Sequence, residues 1–163
     1  MSQSHFAIPT PIGVLVGVVS GELPRLVGLG FQELRRDGPV LLPRKALPEV
    51  ARNLEMQVQA FFSGRRKHFE IAFQLPGTPF QRKVWEALQA VGFGQTVSYG
   101  ELARVCGSPR AARAVGNVLA ANPFALLVPC HRVVLANGSP GEYRWESWRK
   151  DWLLDFEAHY REQ

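Results

Sequence analysis

Apolar residues alternate with smaller or polar ones in three short runs near the N-terminus, 5–8, 13–19 and 25–31; in the second, Val14, Val16 and Val18 take every other position. A period of two marks a half-buried strand. Gly21, Glu22 and Pro24 supply a turn between the later runs, so the pattern predicts an antiparallel meander. Pro39 and Pro43 mark a loop. From Pro48 the period lengthens: Val50, Leu54, Val58 and Phe61 or Phe62 recur at helical spacing until Gly64 ends the run. The basic triplet Arg65, Arg66 and Lys67 then reads as a solvated turn.

Pro76, Gly77 and Pro79 interrupt the periodicity, which places a module boundary here, with one module over 1–76 and a second over 77–163. Thr78 is suited to cap a helix that carries Pro79 in its first turn, buries Phe80, Val84, Trp85 and Leu88, and ends near Gly92 or Gly94. After an extended segment at Thr96 and Val97, Ser98 and Glu101 have the spacing of a capping box. The short helix they open meets Gly107-Ser108-Pro109, and a second helix is expected from Arg110 towards Ala121. Ala111, Ala112, Ala114, Gly116 and Ala120 keep that helix slim, and Arg110 and Arg113 stand three apart near its start. Helix, tight break and slim helix with N-terminal arginines is the layout of a DNA-reading helix-turn-helix, though plain packing units share it. The fold class expected is mixed α/β (α+β): an antiparallel sheet with a helix, then a mainly helical module.

The chain has 163 residues, 46% hydrophobic and 20% charged, which suits one or two globular modules and excludes a disordered or collagen-like chain. The formal charge of +5 admits a polyanionic partner. It is spread evenly, nine basic against six acidic residues over 1–79 and ten against eight over 80–163, so any DNA footprint has to come from local geometry. The apolar stretch at 12–19 is short and broken by glycine, and no basic segment precedes it, so neither a signal peptide nor a membrane span is expected and a cytoplasmic protein is. Cys106 and Cys130 are the only cysteines and have no C-x-x-C spacing or His cluster, so no metal site is expected.

Cys130 stands in the most informative segment. The apolar run Ala125-Leu126-Leu127-Val128 leads into Pro129-Cys130-His131-Arg132, and proline drives the residue before it towards an extended conformation. A strand-like segment with Cys130 at its rim is expected. A thiol with a pKa of about 8.5 is a poor nucleophile at neutral pH and needs a base or cation beside it. His131 is adjacent in sequence, though in extended chain neighbours point apart, so contact through a bridging water is expected. Glu157, on a helix over 148–159, is the candidate carboxylate to orient the imidazole. Taken without its neighbours, Cys130 reads as a small buried hydrophobe, and Cys106 keeps that reading.

Six ordered segments resemble the O6-alkylguanine-DNA alkyltransferase family, the methylated-DNA protein-cysteine methyltransferases: Gly77-Thr78-Pro79-Phe80-Gln81 with Val84-Trp85; Ser98-Tyr99-Gly100-Glu101-Leu102-Ala103; Ala111-Ala112-Arg113-Ala114-Val115-Gly116; Asn122-Pro123; Val128-Pro129-Cys130-His131-Arg132-Val133-Val134; and Trp152-Leu153-Leu154. They span the C-terminal half, while the N-terminal third is similar only in outline to the ribonuclease-H-like module of such proteins. The resemblance implies a stoichiometric, irreversible transfer of an alkyl group from O6-alkylguanine, and as a second substrate O4-alkylthymine, in double-stranded DNA to Cys130. The product is a thioether with no easy leaving path, so each molecule acts once.

It further implies that His131 and Glu157 form the relay that draws off the thiol proton, that Asn122 fixes the turn before the cysteine, and that Tyr99 hydrogen-bonds the extruded base. A neutral phenol can donate to the charge that builds on the leaving guanine. Arg113 is implied as the finger filling the gap left by the flipped nucleotide, since the reacting atom lies inside the stack. Tyr99, Gly100, Ser108, Arg110, Ala112 and Gly116 complete the implied DNA contacts, through the minor groove and with little sequence readout. Val133, Tyr143, Arg144 and Trp145 line the implied pocket, closed by the loop 138–147. No cofactor and no zinc are implied, and the protein is expected to be a monomer.

The chain departs from the pattern at Glu142 and Glu146, where the family keeps small residues; two carboxylates there weaken DNA binding or alter the choice of lesion unless Arg144 and Arg149 neutralise them. Two other classes of function stay open on the residues alone. One is a helix-turn-helix lesion-binding protein without chemistry. The other is a Cys-His hydrolase, which lacks an evident oxyanion cluster.

Overall fold

The structure, a computed structural model, describes residues 2–162. The chain divides into two compact units, Met1–Gln74 and Leu75–Gln163.

In the first unit three antiparallel strands, β1 (Gln3–Thr10), β2 (Gly13–Ser20) and β3 (Arg25–Phe31), lie in sequence order, as the alternation predicts. The alternation misjudges β2 in detail. Leu15, Val16 and Val19 are buried rather than Val14 and Val18, because β2 is the central strand and Leu15, Gly17 and Val19 share its inward face; the bulge opposite Val18/Val19 falls in β3, where Val27 is the extra residue. Gly17 faces Phe6 across the ladder, and a Cβ there would sit 2.2 Å from the ring, so no larger residue fits beside that phenylalanine. The helix α1 (Glu49–Phe62) packs on β1 and β3 through Leu54, Val58 and Phe61, while Gln57 closes a two-way hydrogen bond with the backbone of Glu70.

The second unit opens with α2 (Pro79–Gln89), where Thr78 and Gln81 complete a reciprocal capping box worth about 1 kcal/mol. Val84, Trp85 and Leu88 are buried and Phe80 half-buried; the helix stops at Gln89, short of Gly92, and the chain continues in turns. Strand β4 (Val97–Ser98) leads into α3 (Tyr99–Val105), and α4 (Ala112–Ala120) follows. Ser98 accepts from the Glu101 backbone N–H, so the capping half of the expected box is formed. Arg110 lies in the turn ahead of α4, not in the helix as expected, because Pro109 and the Ala111–Ser108 backbone hydrogen bond hold the chain in a turn there. The buried indole of Trp85 donates to the Val118 carbonyl at 3.2 Å, tying α2 to α4. Strand β5 (Val133–Val134) pairs in parallel with β4, and α5 (Ser147–Tyr160) closes the unit. Among the described residues no helix is long and apolar enough to cross a membrane.

Candidate active site

The segment between α4 and β5 is held by one side chain. Asn122 is fully buried; its Oδ1 accepts from the Phe124 N–H at 2.9 Å, and its Nδ2 donates to the Val128 carbonyl at 2.9 Å and to Cys130 Sγ at 3.2 Å. The loop this amide spans is not the strand the sequence suggests. Leu126 has φ 69°, Pro129 (φ −80°, ψ 64°) makes an inverse γ-turn in which Cys130 N–H donates to the Val128 carbonyl at 2.8 Å, and Cys130–Arg132 form a 3-10 turn. Proline does remove a donor and set the local geometry, but the run is apolar because it is buried in turns, not because it is extended. Cys130 is therefore not at a strand rim; it is 5% exposed.

The turn points His131 inwards. Its Nε2 lies 2.6 Å from Glu157 Oε2 on α5, so this nitrogen carries the proton and the imidazole offers Nδ1 as its acceptor. Nδ1 is buried and has no protein partner. Arg132 also grips Glu157, Nε to Oε1 at 2.8 Å and Nη2 to Oε2 at 3.0 Å, and the Gly94 N–H donates to Oε1 at 3.1 Å. Burial opposes the charge on Glu157, but His131 and Arg132 outweigh it and hold the carboxyl down at about 2. Burial lowers the proton affinity of His131, and Arg132 and Lys150 add to this while Glu157 resists it. Burial likewise pushes the Cys130 thiol up to about 11, with the Asn122 hydrogen bond and the Lys150 and Arg144 cations opposing. The resting site thus holds a neutral thiol and a neutral imidazole at pH 7.

The β4/β5 ladder aligns a second group with this centre. Val97 pairs with Val133 and Ser98 with Val134, so the strand that leads directly into Tyr99, the first residue of α3, is tied to the strand that leaves the 3-10 turn of Cys130. Burial raises the Tyr99 phenol, and Cys130 and Glu142 raise it further, so it remains a donor. Gly141 (φ 77°) lies close to the phenol; a Cβ there would be 3.4 Å from the hydroxyl. Lys150 on α5 was not singled out by the sequence, yet it is fully buried, its Nζ donates to the Glu142 carbonyl at 3.0 Å and stands 5.9 Å from the centre of the Tyr99 ring, and burial lowers its pKa to about 8. A lysine inside a helix reads as solvated in sequence, so only its depth marks it. Arg132 was equally hidden within its motif.

The other expected pocket residues lie around this centre. Val133 is fully buried in β5, and the Tyr143 hydroxyl is buried without a hydrogen-bond partner, its ring set edge-on to Trp145 at 5.4 Å. Arg144 does not neutralise a loop carboxylate. It donates to the Asn122 carbonyl and lies over the Trp145 ring. Arg149 does, bonding Glu146 at 3.0 Å, whereas no ion pair involves Glu142 among the described residues. The residues expected to meet DNA lie on α3, the turn and α4: Arg110 and Arg113 are exposed, Gly100, Ser108, Ala112 and Gly116 half-buried. Gly116 comes close to Tyr99, where a Cβ would lie 3.9 Å from its ring. Among the described residues, no three His, Cys, Asp or Glu side chains gather as a metal site would require.

A model of the 6-O-methylguanine DNA methyltransferase DNA-binding domain matches residues 79–159. The methylated-DNA–protein-cysteine methyltransferase of Mycolicibacterium paratuberculosis is 40% identical over 157 residues, covering 94% of this chain and 91% of that protein. The crystal structure of Mycobacterium tuberculosis O6-methylguanine methyltransferase superposes with a TM-score of 0.82 at 34% identity over 98% of this chain and 94% of that one. The crystal structure of Mycobacterium tuberculosis OGT in complex with DNA gives 0.83 at 37% identity over 96% and 94%. With relatives matched over nearly their whole length, the chain belongs to the methylated-DNA–protein-cysteine methyltransferases, DNA-repair enzymes that move a methyl group from DNA onto a cysteine of their own.

Proposed function

We propose that Cys130 is the acceptor and that the lesion is O6-alkylguanine in duplex DNA, with O4-alkylthymine as a lesser substrate. The chain works as a cytoplasmic monomer, once per molecule, from the two modules 1–76 and 77–163. Arg113 enters the stack as the base rotates out, and Gly100, Ser108, Arg110, Ala112 and Gly116 lie along the DNA backbone. Val133, Tyr143, Arg144 and Trp145 wall the pocket that receives the base.

The observation that carries this reading is the 2.6 Å contact of His131 Nε2 with Glu157 Oε2, which selects the tautomer of the imidazole. With Nε2–H committed to Glu157, Nδ1 is the available base in a site whose nucleophile is still protonated. The thiol proton passes to Nδ1, directly or through a water, and the thiolate is stabilised by the Asn122 amide and the Lys150 cation. Sulfur attacks the alkyl carbon, the C–O6 bond breaks, and its electron pair stays on the guanine. The base takes a proton from the Tyr99 phenol, which is restored from the imidazolium side. Overall, the thiol proton ends on guanine and the alkyl group on sulfur.

The test is intact mass after mixing with a duplex containing O6-methylguanine. One methylene is gained, the modified peptide contains Cys130, and Cys130→Ser gains nothing. A wild-type protein that binds the duplex and gains no mass would make this a lesion-binding protein; repeated turnover would make it a hydrolase.

A further inference from the structure

Glu157 accepts four N–H donors in the buried interior: His131 Nε2 at 2.6 Å and Arg132 Nη2 at 3.0 Å on one oxygen, Arg132 Nε at 2.8 Å and the Gly94 backbone at 3.1 Å on the other. The last free arm of the guanidinium is also spoken for, since Arg132 Nη1 donates to the Val91 carbonyl at 2.7 Å, while Cζ lies 5.9 Å from the Phe93 ring. Arg132 is thus clamped to the 91–94 loop and to α5 at once, and it shares Oε2 with the imidazole.

A fork that binds both oxygens fixes the plane of a carboxylate in a way that a single contact does not. The plane of Glu157 in turn sets the direction of the 2.6 Å bond to His131, and hence where Nδ1 points. We propose that Arg132 is a positioning residue for the alkyl transfer: its two-pronged grip on Glu157 aims His131 Nδ1 at the thiol proton and denies Glu157 the freedom to take a proton itself. An ion pair serving the fold alone would have no need to share the carboxylate oxygen that orients the base.

The charges facing His131 come from both neighbouring elements, Glu157 and Lys150 on α5 and Arg132 on its own turn. Glu157 favours the imidazolium; Arg132 and Lys150 oppose it. Removing the Arg132 cation therefore raises the proton affinity of His131, and the base is lost to protonation at a higher pH.

The inference rests on Cys130 as acceptor and His131 as its base, and the experiment separates the two. Single-turnover alkylation of an O6-methylguanine duplex is followed from pH 5 to 9 for the wild type, Arg132→Lys and Arg132→Met, with the folded fraction and affinity for undamaged duplex measured alongside. Arg132→Lys keeps the charge and loses the fork; it is expected to be slower by about tenfold with the acid limb in place. Arg132→Met is expected to be slower still, with the acid limb moved to higher pH. Where Arg132→Met does not fold, Arg132→Lys decides: a wild-type rate, or a loss equal to its unfolded fraction, overturns the proposal. So does a folded Arg132→Met whose acid limb has not moved. Failure of the wild type to gain mass at Cys130 would instead remove the underlying reading.

Discussion

The side-chain amide of Asn122 and the sulfur of Cys130 are joined by an N–H···S contact of 3.2 Å in a site from which solvent is almost excluded. A thiol accepts such a bond weakly and a thiolate strongly, so the contact stabilises the ionised form more than the resting one. It also closes the turn that presents the sulfur.

Asn122→Ala should therefore do two separable things. It should cost about 1–3 kcal/mol in urea unfolding, because the Val128 carbonyl and Phe124 N–H lose a buried partner. It should also move the thiol above its present value of about 11 and slow alkylation beyond what the loss of folded protein explains. A rate that tracks the folded fraction alone would reduce Asn122 to a turn-former.

Lys150 supplies charge where the sequence offered no warning of it. Its pKa of about 8 means the cation is present at pH 7 and fades above pH 8, so its help to the thiolate fades over the same range. Lys150→Met should slow the reaction at pH 7 and lose any alkaline limb near pH 8. A variant profile that keeps that limb would assign it to another group.

Arg113→Ala should spare reaction with free O6-benzylguanine and depress reaction with the same lesion in a duplex, because only the duplex demands that a base be replaced in the stack. Comparing the two rates checks this; equal losses would place Arg113 in the reacting centre rather than in the DNA.

Acid should unfold the second unit in two stages. His131 has a depressed pKa, so its contribution is complete above the unfolded value of 6.5 and declines as pH falls below it. Glu157 is depressed from 4.5 to about 2, so its contribution is complete above 4.5 and is lost on approach to pH 2. Urea midpoints between pH 7 and 3 should fall throughout, and Glu157→Gln should be less stable at pH 7, by about 3–5 kcal/mol, with a flatter fall below pH 4.5. Parallel curves for the two proteins would dissociate Glu157 from the acid transition.

Much of the scaffold could be read directly. The alternation at 5–8, 13–19 and 25–31 located the three strands, and Thr78 with Pro79 located the start of α2, because turns and caps are written in local residue chemistry. The loop before Cys130 could not. Four apolar residues ahead of a proline are compatible with strand or buried turn, and what selects the turn is Asn122, whose bonds reach six and eight residues along the chain. Arg110 and the start of α4 were misjudged by two residues for a similar reason: alanines continue a helix gladly, and the decision belongs to Pro109 and its turn. Lys150 and Arg132 were missed since burial of a cation is a property of the surroundings. The loop carboxylates were half understood, Arg149 taking Glu146 while Arg144 turns to the Asn122 carbonyl.

The left-handed backbone of Leu126 has a consequence for anyone altering this protein. Side chains with a branched or bulky Cβ resist that conformation, whereas glycine and asparagine accept it. Leu126 is nevertheless 3% exposed, so its isobutyl group anchors the loop that its own backbone strains. Replacement by glycine would trade an anchor for slack just upstream of Cys130, and replacement by valine or isoleucine would keep the grease but meet the steric barrier in full. Leucine is the compromise, and engineering campaigns aimed at the adduct pocket would do well to leave it untouched.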